Sequence, residues 1–341
     1  MRTRLLMLVA LALGFIACEN QDIEFDDYHL NSVYFPFQRP ARTLILGNYD
    51  LAFNDNDNAH RFEIGVTMSG VYENKTDRIV HFELDNSLMA NITNVMPLPS
   101  HYYTIETQSP VVIPAGDFKG RITVQLTDAF FDDPLSFANL NLVNYAIPLR
   151  ITKAENIDSV LSGVPAVENP IKVNDHDWSV LPMDYTLYGI KFINKYHAVY
   201  LRRGVDISTN ANDETVRSVY HNDYVERDEE VSISTTGNKT VKYSNHVRRG
   251  DLASPGKVNL ELTFGDDDNC IVNSNEGDTY NVTGTGKFVE NGDSWGGKAR
   301  DVIHLEYSYT DAANGESHQV YDTLVVRNRN VVFEEFSVKL Q

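Results

Sequence analysis

The chain has 341 residues, 42% of them hydrophobic, with 29 Lys and Arg against 48 Asp and Glu and a formal charge of −19 at pH 7. That length supplies enough apolar material for two cores, and so acidic a surface repels phosphate backbones, which argues against nucleic acid as a partner. Two cysteines, and ten histidines without H-x-x-x-H or H-E-x-x-H spacing, do not spell a zinc site, so no metal and no cofactor is expected.

Met1-Arg-Thr-Arg4 is basic, and Leu5 to Phe15 is an eleven-residue apolar run. The run suits a signal-peptide core and is too short to span a bilayer as a helix. Phe15-Ile-Ala-Cys18 resembles the lipobox of bacterial lipoproteins, in which the cysteine sulfur receives a diacylglycerol before cleavage; Phe15 stands where leucine is usual. Residues 1–17 are therefore expected to be a signal peptide and Cys18 the lipidation site, with the membrane a partner through the lipid anchor. Several acyl chains, at about 0.8 kcal/mol per buried methylene, would make that anchor stable. An ordinary secretory signal is the alternative. Loss of residues 1–17 removes Arg2 and Arg4, leaving 27 bases, 48 acids and a formal charge of −21. Residues 18–29 read as an acidic tether, with five acids between Glu19 and Asp27. Like charges repel and keep such a segment solvated; surface lipoproteins of the Bacteroidetes carry a similar stretch as an export address. Once Cys18 is acylated, Cys270 has no cysteine left to pair with.

Residues 30–153 alternate with period two. Phe62, Ile64, Val66 and Met68 share one face, as do Val80, Phe82 and Leu84, then Ile122, Val124 and Leu126, then Tyr145, Ile147, Leu149 and Ile151. With Ser32 to Phe37 and Tyr102 to Thr107, about seven short strands result, the pattern of a β-sandwich. Residues 154–183 lose the period and carry Gly163, Pro165, Pro170 and Pro182, which marks a linker with a helical turn near 156–161. Trp178 is expected to pin the two halves together. Residues 184–341 return to strands, now longer and joined by hairpins. Tyr185–Ile193 leads into Lys195–Arg202, and turns fall at 236–239, 265–269 and 311–317. The fold class is thus all-β, a sandwich followed by an up-and-down barrel of about eight strands. Each half has its own alternating apolar set and is expected to fold alone.

Chemistry is sparse. Asn291-Gly-Asp-Ser-Trp-Gly-Gly297 contains the G-x-S-x-G pattern of a hydrolase nucleophile. A nucleophile elbow needs a strand before the serine and a helix after it, whereas Val302–Tyr309 reads as another strand. Ser294 is therefore expected in a turn, and no enzyme activity is expected. Asn54–Asn58 has the oxygen-rich alternation of a calcium loop but lacks the glycine and glutamate of an EF-hand, while Asp266–Asp268 is acidic enough for a hard cation, so calcium near Asp266 stays open. Sugars stack their C–H faces on aromatic rings, and polar side chains take their hydroxyls. Trp295, one of only two tryptophans, lies between glycine-rich polar neighbours, with Asn291, Asp293, Lys298 and Arg300 beside it. It is a candidate ligand contact, or else a lid on the barrel mouth with its N–H bonded locally. Tyr188 and Tyr200 are further ligand candidates, since alternation turns half of the tyrosines on these strands into a barrel.

Ser32-Val-Tyr-Phe35 and Asn144–Ile151 resemble the immunoglobulin-like domain of unknown function that opens many Bacteroidetes surface lipoproteins. Leu187–His197, Gly284–Phe288 and Asp322–Val326 resemble the lipocalin-like domain of unknown function that often follows it. The resemblance implies an immunoglobulin-like sandwich over 30–153 and a lipocalin-like barrel over 184–341. It also implies a protein of the outer membrane, facing outward, that binds a glycan beside a porin-type transporter and its lipoprotein partners in a polysaccharide-uptake system. A structural or adhesive surface protein with a filled barrel is the alternative, because a fold alone does not fix a function.

Overall fold

The computed structural model describes residues 27–137, 142–248, 256–275, 277 and 279–341. The expected signal peptide, Cys18 and most of the acidic tether lie outside the described residues. The strands of the first half are β1 (Ser32–Tyr34), β2 (Pro40–Ile45), β3 (Arg61–Ser69), β4 (Arg78–Leu84), β5 (Met96–Pro97), β6 (Tyr103–Ile105), β7 (Val111–Ile113), β8 (Lys119–Leu126), β9 (Tyr145–Glu155) and β10 (Ser159–Val160). A ribbon of β11 (Val164–Pro165) and β12 (Trp178–Val180) leads to β13 (Tyr185–Ile193). One sheet runs β10-β1-β3-β8-β6 and the other β2-β13-β9-β4-β7. Between them, Phe62, Ile64 and Val66 of β3 share one core with Ile147 and Leu149 of β9 and Phe192 of β13, which is the sandwich that the alternation predicts.

Three expectations change. Residues 156–161 hold no helical turn; β10 lies there, parallel to β1, with Ser32 opposite Ser159. Trp178 does not pin the halves, because its contacts are local: its indole N–H donates to Ile171 O at 3.1 Å, and the Lys172 ammonium sits 5.2 Å from its ring. Most consequentially, Tyr185–Ile193 is not a barrel strand. It lies between β2, parallel, and β9, antiparallel, in the sandwich. Eight of its nine residues are buried, which suits the centre of a sheet covered on both faces and leaves no period to read. The outer cover comes from Leu88, Met89, Ile92 and Val95, with Phe336, Val338 and Leu340 packed against them. The boundary therefore falls near residue 194, and a piece ending at 154 would lack the strand that joins β2 to β9.

The barrel strands are β14 (Ala198–Thr209), β15 (Thr215–Tyr220), β16 (Glu229–Thr235), β17 (Thr240–His246), β18 (Lys257–Phe264), β19 (Asn269–Ser274), β20 (Thr283–Trp295), β21 (Lys298–Asp311) and β22 (Glu316–Asn328). β14 and β16 to β22 pair in sequence order, and β22 returns to β14 from Val199↔Asn328 to Thr209↔Ser317, which closes an eight-stranded barrel. β15 is an extra arm on the far half of β14. Side chains fill the interior, among them Tyr200, Tyr243, Leu260, Tyr307 and Leu324. Arg202 is 1% exposed there, and its guanidinium donates to Asp322 at 3.0 Å, Tyr220 at 2.8 Å and Glu229 at 3.2 Å. A buried charge persists only with partners of this kind. After β22 the chain returns to the sandwich. There β23 (Glu334–Glu335) pairs with β2, and Lys191 Nζ donates to Glu334 at 2.6 Å. Among the described residues no helix is long and apolar enough to cross a membrane.

Candidate ligand-binding cleft

The hairpin that carries Trp295 ends at the junction of the two domains. β20 runs through Trp295 itself, and the turn is only Gly296-Gly297, at φ +60° and +74°. Two successive residues in the left-handed region make the hairpin turn that glycine adopts without steric cost. The register shifts between Val289 and Asp293, and Asn291 takes φ +53° within that bulge. Ser294 is therefore a strand residue opposite Ala299, exposed, with a second strand after it. The elbow that would present a nucleophile is not formed.

Trp295 is partly buried. Its indole N–H donates to Val326 O of β22 at 2.9 Å, and the Arg300 guanidinium lies 4.2 Å from its ring. Arg300 also pairs with Asp50, which comes from the sandwich. The loop that brings Asp50 is built with care. Gly47 has φ +82°, and a Cβ there would lie 2.5 Å from Cβ of Lys195, so only glycine allows the two backbones to approach. The Asn54 amide donates to Ile45 O and Gly47 O, both at 2.7 Å. A helical turn, α1 (Asp55–Asn58), follows. Its Asp57, 1% exposed, accepts from the Ile45 N–H at 2.9 Å and from Arg42 at 2.5 Å. Burial pushes that carboxyl's pKa up, against the pull of the Ile45 N–H and Arg42. The oxygen-rich run 54–58 thus ties down its own loop.

Two further contacts knit the domains. Asp301 Oδ1 accepts from Asn48 at 3.1 Å and from the Asn291 N–H at 2.9 Å. Arg329, 5% exposed, donates to Leu46 O and Asn48 O, each at 3.0 Å, and to Asn194 O at 2.6 Å. Burial pulls its pKa down to about 10, with Tyr200 and Asp301 opposing. Arg329 is the pin that the sequence suggests for Trp178.

Beside these contacts opens a cleft of about 590 Å³, lined by Asn48, Tyr49 and Phe53 from the loop and by Asn291, Trp295 and Arg300 from the hairpin. Phe53 is fully exposed and Leu51 is 77% exposed at its edge. The structure thus brings together four of the residues that the sequence singles out, Trp295, Asn291, Lys298 and Arg300. Asp293 is not part of the lining; its carboxylate accepts from the Ser294 N–H at 2.7 Å. Tyr188 lies in the sandwich, stacked on Phe62 at 5.4 Å. Tyr200 is fully buried in the barrel, where its hydroxyl donates to Tyr196 O at 2.7 Å. Both therefore sit away from the cleft, because β13 left the barrel and because the barrel is filled. Near Asp266 the three acids point to separate partners: Lys239 for Asp266, Asn269 for Asp267, and Lys195 and Tyr196 for Asp268. Sequence reasoning missed the other wall. Its signal is the set of apolar residues Tyr49, Leu51 and Phe53 placed between Gly47 and Asn54.

A solved structure from Bacteroides ovatus, described as of unknown function, is 36% identical, with a TM-score of 0.82, over 93% of this chain and 100% of that one. The chain belongs to the same family. Within this family member, a model described as a domain of unknown function, DUF5627, matches residues 195–330, and a model for an N-terminal domain matches residues 27–158. Two further Bacteroides structures are much more distant. A multidomain protein including DUF1735 from Bacteroides ovatus is 12% identical, with a TM-score of 0.39, over 88% of this chain and 96% of that one. An auxiliary nutrient binding protein from Bacteroides thetaiotaomicron is 10% identical, with a TM-score of 0.36, over 80% of this chain and 85% of that one. No protein of curated function matches the sequence.

Proposed function

We propose that the protein is a lipoprotein anchored to the outer membrane through Cys18 and facing the cell exterior. In this reading it binds a glycan in the junction cleft, as a non-catalytic accessory of a polysaccharide-uptake system beside a porin-type transporter and its lipoprotein partners. The observation that carries the reading is the cleft itself. Phe53 and Trp295 offer apolar ring surface, while Asn48, Asp50, Asn291 and Arg300 offer donors and acceptors within the same 590 Å³. That mixture suits a sugar, whose C–H faces and hydroxyls alternate around one ring. A filled barrel favours the second reading, a structural or adhesive surface protein; it also leaves the cleft as the place for a ligand.

Screening the purified protein on a polysaccharide array, followed by calorimetry on each hit, separates the two. Phe53→Ala and Trp295→Ala should each weaken binding by about 1–3 kcal/mol, the range for an anchoring side chain. If Trp295→Ala lowers the melting temperature and leaves affinity alone, the indole is a lid. No binding on the array would remove the glycan reading. For the anchor, Cys18→Ala should abolish labelling by a palmitate analogue, and protease added to intact cells should shave the parent protein.

A further inference from the structure

The opposite end of the barrel holds a polar cluster that the cleft does not use. β21 leaves the cleft at Lys298 and reaches Asp311 thirteen residues later, roughly 40 Å of strand at about 3.3 Å per residue. At the turn into β22, Asp311 stands opposite Glu316 and Tyr309 opposite His318, so all four side chains share one face. Asp311 is fully buried and His318 is 2% exposed. One donor atom from each of Asp311, Glu316 and His318 lies within 4.8 Å of the other two.

The histidine is held as a ligand would be. Its Nδ1 lies 2.9 Å from Asp206 Oδ1, and the other oxygen of Asp206 accepts from the Tyr309 hydroxyl at 3.2 Å. The Tyr309 ring stacks on the imidazole at 4.3 Å and 6°. An ionised carboxylate only accepts, so Nδ1 is the donor to Asp206. Nε2, buried, has no hydrogen-bond partner among the described residues. It faces Glu316 Oε2 at 3.7 Å, too far for a hydrogen bond were it protonated. A buried ring nitrogen facing a carboxylate oxygen, which itself accepts from the Asn314 amide at 2.6 Å, is an arrangement that a cation between them would satisfy. A carboxylate behind the far nitrogen is the usual orienting partner of a metal-bound histidine.

We propose that Asp311, Glu316 and His318 Nε2 bind a divalent transition-metal ion, with Asp206 as the positioning residue. One nitrogen and carboxylate oxygens, without thiolate, favour Zn²⁺ over Cu⁺, and the imidazole disfavours Ca²⁺ and Mg²⁺. Bonds of about 2.0–2.2 Å bring donors within roughly 3–3.5 Å of one another, a closure that the Glu316 side chain can supply at the first residue of its strand.

The test uses the untagged full chain, stripped with chelator, titrated with ZnCl₂ in a calorimeter and with Co²⁺ in a spectrophotometer. One equivalent of saturable Zn²⁺, visible d–d bands with Co²⁺ and a raised melting temperature are expected. Glu316→Gln, at a partly exposed position, should weaken Zn²⁺ by about tenfold or more while leaving the stripped protein's melting temperature unchanged; Asp206→Asn should weaken it by about 10–100-fold. His318→Gln should remove the cobalt bands. Saturation by Ca²⁺ in place of Zn²⁺, no saturable Zn²⁺ binding, or Glu316→Gln binding as tightly as the parent would each overturn the proposal.

Discussion

Replacing Arg329 by methionine keeps the apolar stem and removes the guanidinium that joins sandwich to barrel. Three carbonyls, of Leu46, Asn48 and Asn194, lose a charged donor. Bonds of that kind contribute about 1.5–3 kcal/mol each, so the gross loss is roughly 5–9 kcal/mol. Burial works the other way. It holds the pKa at about 10 instead of 12.5, a penalty of roughly 3 kcal/mol on the charged form that methionine does not bear. The expected net destabilisation is about 2–6 kcal/mol. Arg329→Lys should recover little of it, because one ammonium on a flexible stem cannot hold three diverging acceptors as the planar fork does. Urea unfolding followed by tryptophan fluorescence measures the change, and Trp295 reports on the junction itself. A loss below about 1 kcal/mol, with the urea dependence unaltered, would refute the view that a buried charge clamps the domains.

Acid should weaken the fold through His197. Its buried Nδ1 accepts from the Thr235 N–H at 3.1 Å, and burial, helped by Arg329, holds its pKa down at about 4 against an ordinary 6.5. The folded value lies below the unfolded one, so this contribution is complete above pH 6.5 and is lost as pH falls towards 4, at about 1.4 kcal/mol per pH unit. Urea melts at pH 7.5 and 5 should differ by about 2 kcal/mol from this group; His197→Asn should remove that difference, and an unchanged slope in the variant counts against the assignment. Deleting residues 334–341 strips Phe336, Val338 and Leu340 from the outer face of the sandwich, which should cost about 3–5 kcal/mol; a thermal melt that does not move would show the tail to be idle. A fragment of residues 27–154 lacks β13 and should give the collapsed amide dispersion of an unfolded chain, so a cooperative melt would contradict the sheet order.

Alternation over eight or ten residues is a local property, so it was legible in the sequence. Phe62 to Met68 and Ile122 to Leu126 announce half-buried strands, and Gly296-Gly297 announces a tight reversal, whatever those strands pair with. The all-β class, the barrel and the strand that follows Ser294 come from such patterns. The choice of partner is not local. Tyr185–Ile193, buried on both faces, shows no period, and only the packing of Leu88, Ile92 and the returning tail on its outer side places it in the sandwich. The sites are less local still. The cleft needs Phe53 beside Trp295, and the cluster at the far end needs Asp206 against His318, 112 residues away in sequence. Docking of the sandwich loop on the barrel makes the first pair and closing β22 onto β14 the second, and barrel closure is a property of the whole sheet, which no single strand's sequence carries.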